Sequence, residues 1–281
     1  TWAGFNNNDK TYSDSIKSEI TENGKEGCAL ELTYKAATWY AGEIFMSIPK
    51  EWAINKNSEC LEFDAKGQGK IKISPQIQVV QESEGCTTID ADFAPGSVAG
   101  VHAMDCTIEK AKKHGLAMTT VKNGTHFGAA AYYALRAVKE NMIGIALTNS
   151  VKLMAPYGGY ERELGTNPIY IAVPGTKTIV YDGATSIAAY NKIFLANAEN
   201  RHIPDNWALD NKGHSTTNPE DVVVHGGAVR PFGEYKGYGL AVMVQILTGI
   251  LSGGSIVREE NEVKENVDAT AYSFMVIDIS K

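Results

Sequence analysis

The sequence predicts an α/β protein, mixed and of the α+β type, that carries a β-rich segment at its N-terminus. Three observations predict this class. Residues 1–66 are rich in Asn, Thr, Ser, Lys and Glu and contain short apolar pieces separated by turn-forming residues. From residue 71 onward, helical patterns alternate with short apolar strands. The 281 residues are 43% hydrophobic and 21% charged, which is ordinary globular composition, so a core can form without disulfides or metal.

Composition also limits the partners. The net charge of −7 and a pI near 5.4 argue against a nucleic-acid partner, because such binding needs basic surfaces. The longest apolar run, residues 239–251, is too short and too interrupted for a membrane span. The four cysteines are scattered, without a C-x-x-C pair, so we expect reduced thiols and no metal site. Because the chain starts at Thr1, a targeting segment could already have been removed, and the expected location is cytoplasmic.

Elements follow from local patterns in chain order. The N-terminal segment contains strand-like pieces over 29–34, 42–48 and 60–63. Two glycines at 65–70 suit a turn, and we divide the chain there into a segment 1–66 and a domain 67–281. In the second part, the pattern predicts a helix over 103–114 closed by Gly115, a strand over 116–121, a helix over 128–140 and strands over 142–147, 168–173 and 178–181. It then predicts helices over 186–200 and 236–251, a charged loop over 257–268 and a strand over 273–279.

Two of these helices carry a further expectation. The helix over 186–200 is amphipathic, with one apolar face made of Ile187, Tyr190, Phe194 and Ala198. The helix over 236–251 is apolar almost all round, which predicts burial within the domain.

Glycine-flanked polar clusters interrupt the apolar pattern at residues 123–128, 158–168 and 233–240. His126 follows a predicted strand and precedes a helix, where an imidazole could serve as a proton relay; a loop histidine bonded to a carbonyl is the alternative. Lys236 adds a cation to a helix start that already favours anions, although most lysines there are simply solvated. The second cluster could equally be a solvated turn. No G-x-G-x-x-G follows a strand, so the usual dinucleotide fingerprint is missing.

Six ordered motifs carry a family resemblance over residues 68–279: NGTHFGAAAYYAL, IGIALTNS, GGYERELGTNPIYIAVPG, DGATS, IPDNWALD followed by TTNPED, and EYKGYGLAVMVQILTGILSG. In these the chain resembles the malate/L-lactate dehydrogenase family of the non-Rossmann type, which includes ureidoglycolate dehydrogenase and diketogulonate reductase. The resemblance implies a non-Rossmann nicotinamide-binding domain with a mixed sheet and flanking helices. It also implies hydride transfer between NAD or NADP and a small 2-hydroxy or 2-oxo acid, and a homodimer.

By match of motif, the resemblance makes His126 the active-site acid/base. The residues implied to hold the cofactor or line its cleft are Ser150, Asn167, Pro168, Asp182, Ala184, Thr185, Ser186, Lys236 and Gly237. The chemistry fits, because reduction of a 2-oxo acid leaves an alkoxide that needs a proton donor, and anionic ligands need cations and N–H groups. We therefore expect His126 and Lys236 to face one cleft.

Two departures from the family leave a second hypothesis open. Family members begin with a helical segment whose Asp-Ser-His-Gly motif supplies a second acid/base histidine, and residues 1–70 contain nothing of that form; His102 is a weak substitute. The expectation is therefore impaired activity. Residues 27–70, with Trp39, Tyr40 and Trp52, resemble part of a jelly-roll carbohydrate-binding module, although such aromatics more often fill a core. The alternative is a non-catalytic hybrid or carbohydrate-binding protein that retains the cofactor-domain scaffold.

Overall fold

The chain separates into two compact units, Thr1–Ser74 and Pro75–Lys281. The computed structural model describes residues 16–24, 27–34, 65–66, 75–254 and 270–281. In the first unit, β1 (Ile16–Gly24) and β2 (Gly27–Tyr34) form an antiparallel pair, and β3 (Ala65–Lys66) pairs parallel with β2. The strand predicted over 29–34 is confirmed, whereas β1 is not among the predicted strands.

Several expectations lie outside the described residues. They are the strands predicted over 42–48 and 60–63, the loop over 257–268, and the aromatic side chains Trp39, Tyr40 and Trp52.

The second unit is built on a seven-stranded sheet. Its strands are β4 (Gln78–Glu82), β5 (Cys86–Asp90), β6 (Leu116–Gly124), β7 (Met142–Thr148), β8 (Ile169–Val173), β9 (Ile179–Gly183) and β13 (Thr270–Asp278). The spatial order is β4-β5-β6-β13-β7-β8-β9. Only β5 and β6 are parallel neighbours, and all other adjacent strands of this sheet are antiparallel. The sheet is therefore mixed, as expected.

The second unit also contains helices. The described ones are α1 (Gly96–His114), α2 (Ala131–Lys139), α3 (Tyr190–Ala198), α4 (Pro219–Val223) and α5 (Tyr235–Gln245), the last continued by a π-helical turn at Ile246–Ile250. None of the helices in the described ranges is long and apolar enough to cross a bilayer.

The main core lies between the sheet and helices α1 and α2. Side chains that alternate along the strands, such as Val121, Tyr272 and Phe274, are buried there. The segment of α5 and the π-helical turn packs against β6, β7 and β13. Its end lies beside Lys122, which points to the opposite face from Val121. The sheet thus has helices on both faces.

A smaller lobe surrounds a second core. Its three short strands, β10 (Ala208–Leu209), β11 (Ser215–Thr216) and β12 (Ala228–Val229), have the order β11-β10-β12. Side chains of α3, α4 and β12 pack with those of the loops before and between them. This lobe connects the end of β9 to the start of α5.

Several bounds differ from the predicted elements. Helix α1 ends at Gly115 as predicted, with the glycine at φ 84°, but starts at Gly96 rather than at residue 103. Strand β9 lies two residues later than predicted at its carboxyl end, and α2 begins three residues later. Helix α3 is shorter than predicted, and its buried residues are Tyr190, Ile193 and Ala196, so the predicted apolar face is wrong beyond Tyr190.

The predicted burial of the helix over 236–251 is also wrong. One face of it packs inward, but the side chains of Leu240, Met243, Ile246, Ile250 and Leu251 are 39–53% exposed. An apolar pattern all round identifies the helix without showing which neighbour covers each face.

Candidate active site

The predicted site residues lie along one edge of the seven-stranded sheet, the one at which several strands end. Strands β6, β7 and β9 run in the same direction, because each is separated from the next by one antiparallel strand. Their carboxyl ends therefore meet at one edge, called here the site edge. His126 follows β6, Ser150 follows β7, Thr185 follows β9, and Asn167 precedes β8 at the same edge. Since strands are spaced about 4.8 Å apart, β6 and β9 are roughly 19 Å apart.

The loop that carries His126 is fixed by two neighbours. Thr125 Oγ1 accepts a hydrogen bond from Gly96 N at 2.9 Å and donates to Ala94 O at 3.2 Å. Gly96 lies so close that a Cβ there would collide with the carbonyls of Thr125 and His126, which explains a glycine at this helix start. On the other side, the Phe127 ring stacks on Tyr272 with centroids 4.6 Å apart. A backbone held by these contacts therefore presents an exposed imidazole.

The imidazole has a defined orientation. Gly128 N donates to His126 Nδ1 at 3.3 Å. Because Nδ1 accepts this hydrogen bond, a neutral ring carries its proton on Nε2. The geometry therefore suits an imidazole that donates from Nε2.

Ser150 and Asn167 connect β7 to β8 at the site edge. Ser150 N donates to Asn167 Oδ1 at 3.1 Å, and Ser150 Oγ accepts from Thr166 N at 3.0 Å. Asn167 is fully buried, with φ of 30°, and its amide donates to Ala241 O at 3.0 Å and to Gln245 Oε1 at 3.3 Å. The Asn167 side chain therefore ties this edge to helix α5, and its hydrogen-bonding capacity is largely used inside the protein.

The turn after β9 is attached to the same network. Thr185 donates to Thr166 O at 2.8 Å twice, once from its backbone N–H and once from its hydroxyl. Ser186 Oγ donates to Ala188 O at 2.7 Å. The hydroxyl protons of both residues are thus committed within the protein. The backbone N–H groups of Ala184 and Ser186, in contrast, have no acceptor among the described residues.

Helix α5 starts against this turn. Gly237 packs so tightly that a Cβ there would lie 2.6 Å from Thr185 O and would also collide with Phe232 O. Lys236 beside it is exposed. The residue that precedes the helix, Glu234, has φ 57° and ψ −118°, a conformation that costs free energy and is concentrated at functional sites.

The expectation that this helix start offers free N–H groups needs correction. The N–H groups of Lys236, Gly237 and Tyr238 donate to the carbonyls of residues 233, 232 and 234 respectively. A capped helix end has fewer donors to give a ligand. Attraction for an anion at this point depends on the Lys236 ammonium, and the free N–H groups lie in the Ala184–Ser186 turn instead.

Two of the predicted cofactor residues are peripheral to this network. Pro168 is half-buried directly before β8. Asp182 is exposed on β9 and lies opposite Tyr170. Burial raises the pKa of Tyr170, and the nearby Asp182 carboxylate raises it further. Tyr170 packs against the main core, so Asp182 shares the sheet face that α2 covers.

Cavities occur elsewhere in the second unit. A cavity of about 320 Å³ lies between α1 and α2, with Asp105, Lys112 and Arg136 among its lining residues. A second one, of about 250 Å³, adjoins α3 and Trp207. Neither is lined by a predicted site residue.

Sequence reasoning missed several residues that support the site. In the sequence, Gln245 only interrupts an apolar run, whereas in the structure it is buried and hydrogen-bonded to Asn167. A glutamine inside an apolar helix is itself a signal, because a buried amide needs partners. Gly96 and Tyr133, which hold the His126 loop, carry no local signal, since their partners are 30 and 6 residues away.

Comparison with known proteins agrees with this architecture. The sequence pattern of the malate/L-lactate dehydrogenase family matches residues 63–281. A malate dehydrogenase of Pyrococcus horikoshii is 42% identical over 219 residues, which are 75% of this chain and 61% of that protein. An L-sulfolactate dehydrogenase of Methanocaldococcus jannaschii is 42% identical over 190 residues, 67% of this chain and 54% of that protein.

A solved structure gives the same result at the level of the fold. The crystal structure of malate dehydrogenase from Entamoeba histolytica superposes with a TM-score of 0.72 at 30% identity, covering 75% of this chain and 62% of that one. The chain thus spans about three fifths of the length of the malate dehydrogenases it matches. With more than half of its residues matched by the family pattern, the chain belongs to the malate/L-lactate dehydrogenase family.

Proposed function

We propose that the protein is an oxidoreductase that transfers a hydride between NAD or NADP and a small 2-hydroxy or 2-oxo acid. The observation that carries this proposal is the convergence of His126, Ser150, Thr185 and the start of α5 at one sheet edge. Residues 67–281 form the oxidoreductase domain in this proposal, and residues 1–66 form a separate β-rich segment. The names of the relatives, malate and L-sulfolactate dehydrogenases, support the substrate class.

The donor set fits a nicotinamide cofactor. Such a molecule is anionic through its phosphates and carries a carboxamide with an acceptor oxygen. The N–H groups of Ala184 and Ser186, which have no acceptor in the part of the chain that the structure describes, would bind acceptor oxygens, and the exposed Lys236 ammonium would bind a phosphate. Gly237 lets the backbone approach closely because any side chain would collide with Thr185. The cofactor supplies the hydride, while the protein supplies position and electrostatics.

His126 handles the proton in this proposal. For reduction the ring would act as an imidazolium, which would give its Nε2 proton to the 2-oxo oxygen of the bound acid and keep its other proton on Nδ1, leaving a neutral imidazole. In the reverse direction, Nε2 accepts the hydroxyl proton. The bond from Gly128 N to Nδ1 orients the neutral ring that carries its proton on Nε2, and this bond would have to open when Nδ1 is protonated for the acid role.

Asn167 and Gln245 act on the site through other groups. The Asn167 amide holds Ser150 against α5, and Gln245 fixes that amide from the far side. Both are positioning residues in this proposal rather than cofactor ligands. As the motif match implies, Pro168 would line the same cleft, and Asp182 would contact the cofactor only from the periphery, because its side chain shares the sheet face that α2 covers.

The proposal extends to assembly and location. A homodimer in the cytoplasm is expected from the family resemblance.

A two-part experiment tests the function. The full chain is incubated with NADH and with NADPH while its thermal stability is followed, and absorbance at the reduced-cofactor band is then recorded with a panel of 2-oxo acids. Stabilisation with turnover is the expected result. Stabilisation without turnover would indicate a binding protein that retained the scaffold, and a response to oligosaccharides alone would contradict the proposal.

A further inference from the structure

The ring of Phe127, the residue after His126, is held between two tyrosine rings. Its centroid lies 4.9 Å from that of Tyr133 and 4.6 Å from that of Tyr272, with interplanar angles of 15° and 9°. These three rings are called here the aromatic stack. The Tyr133 hydroxyl also donates a hydrogen bond to Phe127 O at 2.5 Å. Both the side chain and the main chain of Phe127 are therefore held, and the residue is buried.

Phe127 joins the two groups that orient the imidazole. His126 precedes it, and Gly128, whose N–H donates to His126 Nδ1 at 3.3 Å, follows it. Because the His126 side chain is exposed, its direction depends on the backbone of these three residues. A movement of the Phe127 ring would therefore shift the Cα of His126 and the N–H of Gly128 together.

Tyr272 holds the aromatic stack at a defined place in the sheet. It lies on β13, between β6 and β7, opposite Val121 of one strand and Thr148 of the other. A Cβ at Gly124, the last residue of β6, would collide with the Tyr272 ring, which therefore packs directly against the end of that strand. The stack is thus anchored where β6 ends and the loop of His126 begins.

The residue before Tyr272 contacts the strand on the other side. Ala271 N donates to Asn149 Oδ1 at 2.8 Å, and Asn149 N donates to Ala271 O at 3.2 Å. Asn149 is buried and directly precedes Ser150. Two successive residues of β13 therefore hold the loop of His126 and the loop of Ser150, which follow strands roughly 10 Å apart.

We propose that Phe127 is a positioning residue for proton transfer. The aromatic stack fixes the direction of the His126 imidazole relative to the strand that leads to Ser150, and so relative to a bound cofactor and acid. Phe127 touches no reacting atom in this proposal. It acts through His126, because a displacement of about 1 Å at a reacting group can lower a rate about a hundredfold. The inference rests on the proposed function, which assigns the proton to His126 and the cofactor to Ser150.

Matched leucine substitutions in the full chain test the proposal. Phe127→Leu removes the stacking on both faces but keeps an apolar side chain in the core. Phe274→Leu is the control, because Phe274 is fully buried with its ring 5.4 Å from that of Tyr133, yet lies on β13 rather than on the loop of His126. Urea unfolding should show a loss of stability in both variants.

Kinetics should separate the two variants. Turnover of a 2-oxo acid with NADH should fall roughly ten- to a hundredfold in Phe127→Leu and stay near the unmodified rate in Phe274→Leu. The dissociation constant of NADH should be unchanged in both, because the aromatic stack does not include a cofactor-binding residue. A purely structural role would instead lower both quantities in proportion to the loss of stability.

The His126 ring itself provides a readout that does not need turnover. Nitrogen NMR of the histidine-labelled chain distinguishes the two tautomers of a neutral imidazole, and the spectrum of His126→Asn identifies the signals by difference. In the unmodified chain, the bond from Gly128 N to Nδ1 favours the tautomer with its proton on Nε2. Phe127→Leu should give a mixture of tautomers, whereas Phe274→Leu should keep the Nε2–H form.

A milder variant decides the question if Phe127→Leu does not fold. Tyr133→Phe keeps the three rings and removes only the hydroxyl that holds Phe127 O. It should change turnover and tautomer in the same direction as Phe127→Leu, but by less. In that case, a turnover and a tautomer both equal to those of the unmodified chain would overturn the proposal.

Where Phe127→Leu folds, two results overturn the role of Phe127. One is an unchanged tautomer in Phe127→Leu, whatever its turnover. The other is a fall in turnover that is the same in Phe127→Leu and Phe274→Leu. An unmodified chain without turnover contradicts the proposed function alone, and the tautomer then decides whether Phe127 orients the imidazole.

Discussion

Gly128 N donates a hydrogen bond to Nδ1 of His126 at 3.3 Å, and this contact orients the imidazole. Replacing His126 with Ala or Asn should therefore lower turnover by roughly two to four orders of magnitude, the usual contribution of a positioned acid/base. Steady-state kinetics with NADH and the best 2-oxo acid measures it. The dissociation constant for NADH should change little. Near-normal turnover would remove His126 from the mechanism.

Lys236 should contribute to cofactor affinity rather than to the chemical step. Lys236→Ala removes the positive charge that the capped start of α5 offers to a phosphate, and should raise the NADH dissociation constant roughly tenfold. Fluorescence titration of NADH measures the effect. Lys192→Ala, an exposed lysine on α3, is the matched control and should leave the constant unchanged. The same constant in both variants would show that the ammonium of Lys236 faces only water.

Gly237 and Gly239 differ although they are two residues apart on one helix. Gly237→Ala should destabilise the protein by about 1–3 kcal/mol, because the new Cβ collides with the carbonyls of Thr185 and Phe232. Gly239→Ala meets nothing within 4 Å and should be neutral or stabilising by about 0.5–1 kcal/mol through helix propensity. Urea unfolding of both variants measures the difference. Equal stabilities would contradict the close packing of α5 on the turn.

Asn167 should be sensitive to exchange of its amide for a carboxyl group. Asn167→Asp keeps the shape but turns a donor toward Ala241 O and Gln245 Oε1 into an acceptor with a charge, in a fully buried site. A loss of about 3 kcal/mol or more at pH 7 is expected. The loss should shrink in acid, where the protonated carboxyl can donate again. A loss that is independent of pH would indicate that charge is not its cause.

Tyr133 links stability at high pH to the His126 loop. Its hydroxyl donates to Phe127 O at 2.5 Å, and burial raises its pKa from 10.0 to about 12, with a smaller contribution from Tyr132. The folded state binds this proton more tightly than the unfolded state, so the stabilisation is complete below about pH 10 and is lost as the pH rises toward about 12.

Tyr133→Phe should remove this part of the alkaline loss. At pH 7 it should also cost about 1–3 kcal/mol, since the Phe127 carbonyl loses its donor. Thermal melts between pH 7 and pH 11 measure both effects. Tyr132→Phe, at an exposed position, is the control and should keep the alkaline loss. An identical pH profile for Tyr133→Phe and the unmodified chain would contradict the assignment.

Local pattern was enough for most of the elements in the second unit. The alternation of helices and strands, the end of α1 at Gly115 and the amino end of β7 at Met142 all follow from residues that are neighbours in the chain. Failures occur where a distant partner decides. Helix α1 starts at Gly96 because the carbonyls of Thr125 and His126 pack on it, and no pattern near residue 96 records that contact.

The sequence by itself determined the mixed α/β class, the family and the chemical types at the site, since motifs such as NGTHFG and EYKGYG are local strings of residues. Only the tertiary structure decided that the Asn167 side chain is hydrogen-bonded inside the protein and that one face of α5 is exposed. It also decided that, among the described residues, the N–H groups of Ala184 and Ser186 have no acceptor. The physical reason is that hydrogen-bond satisfaction and burial depend on which strand ends meet at one edge, and the sheet order sets that.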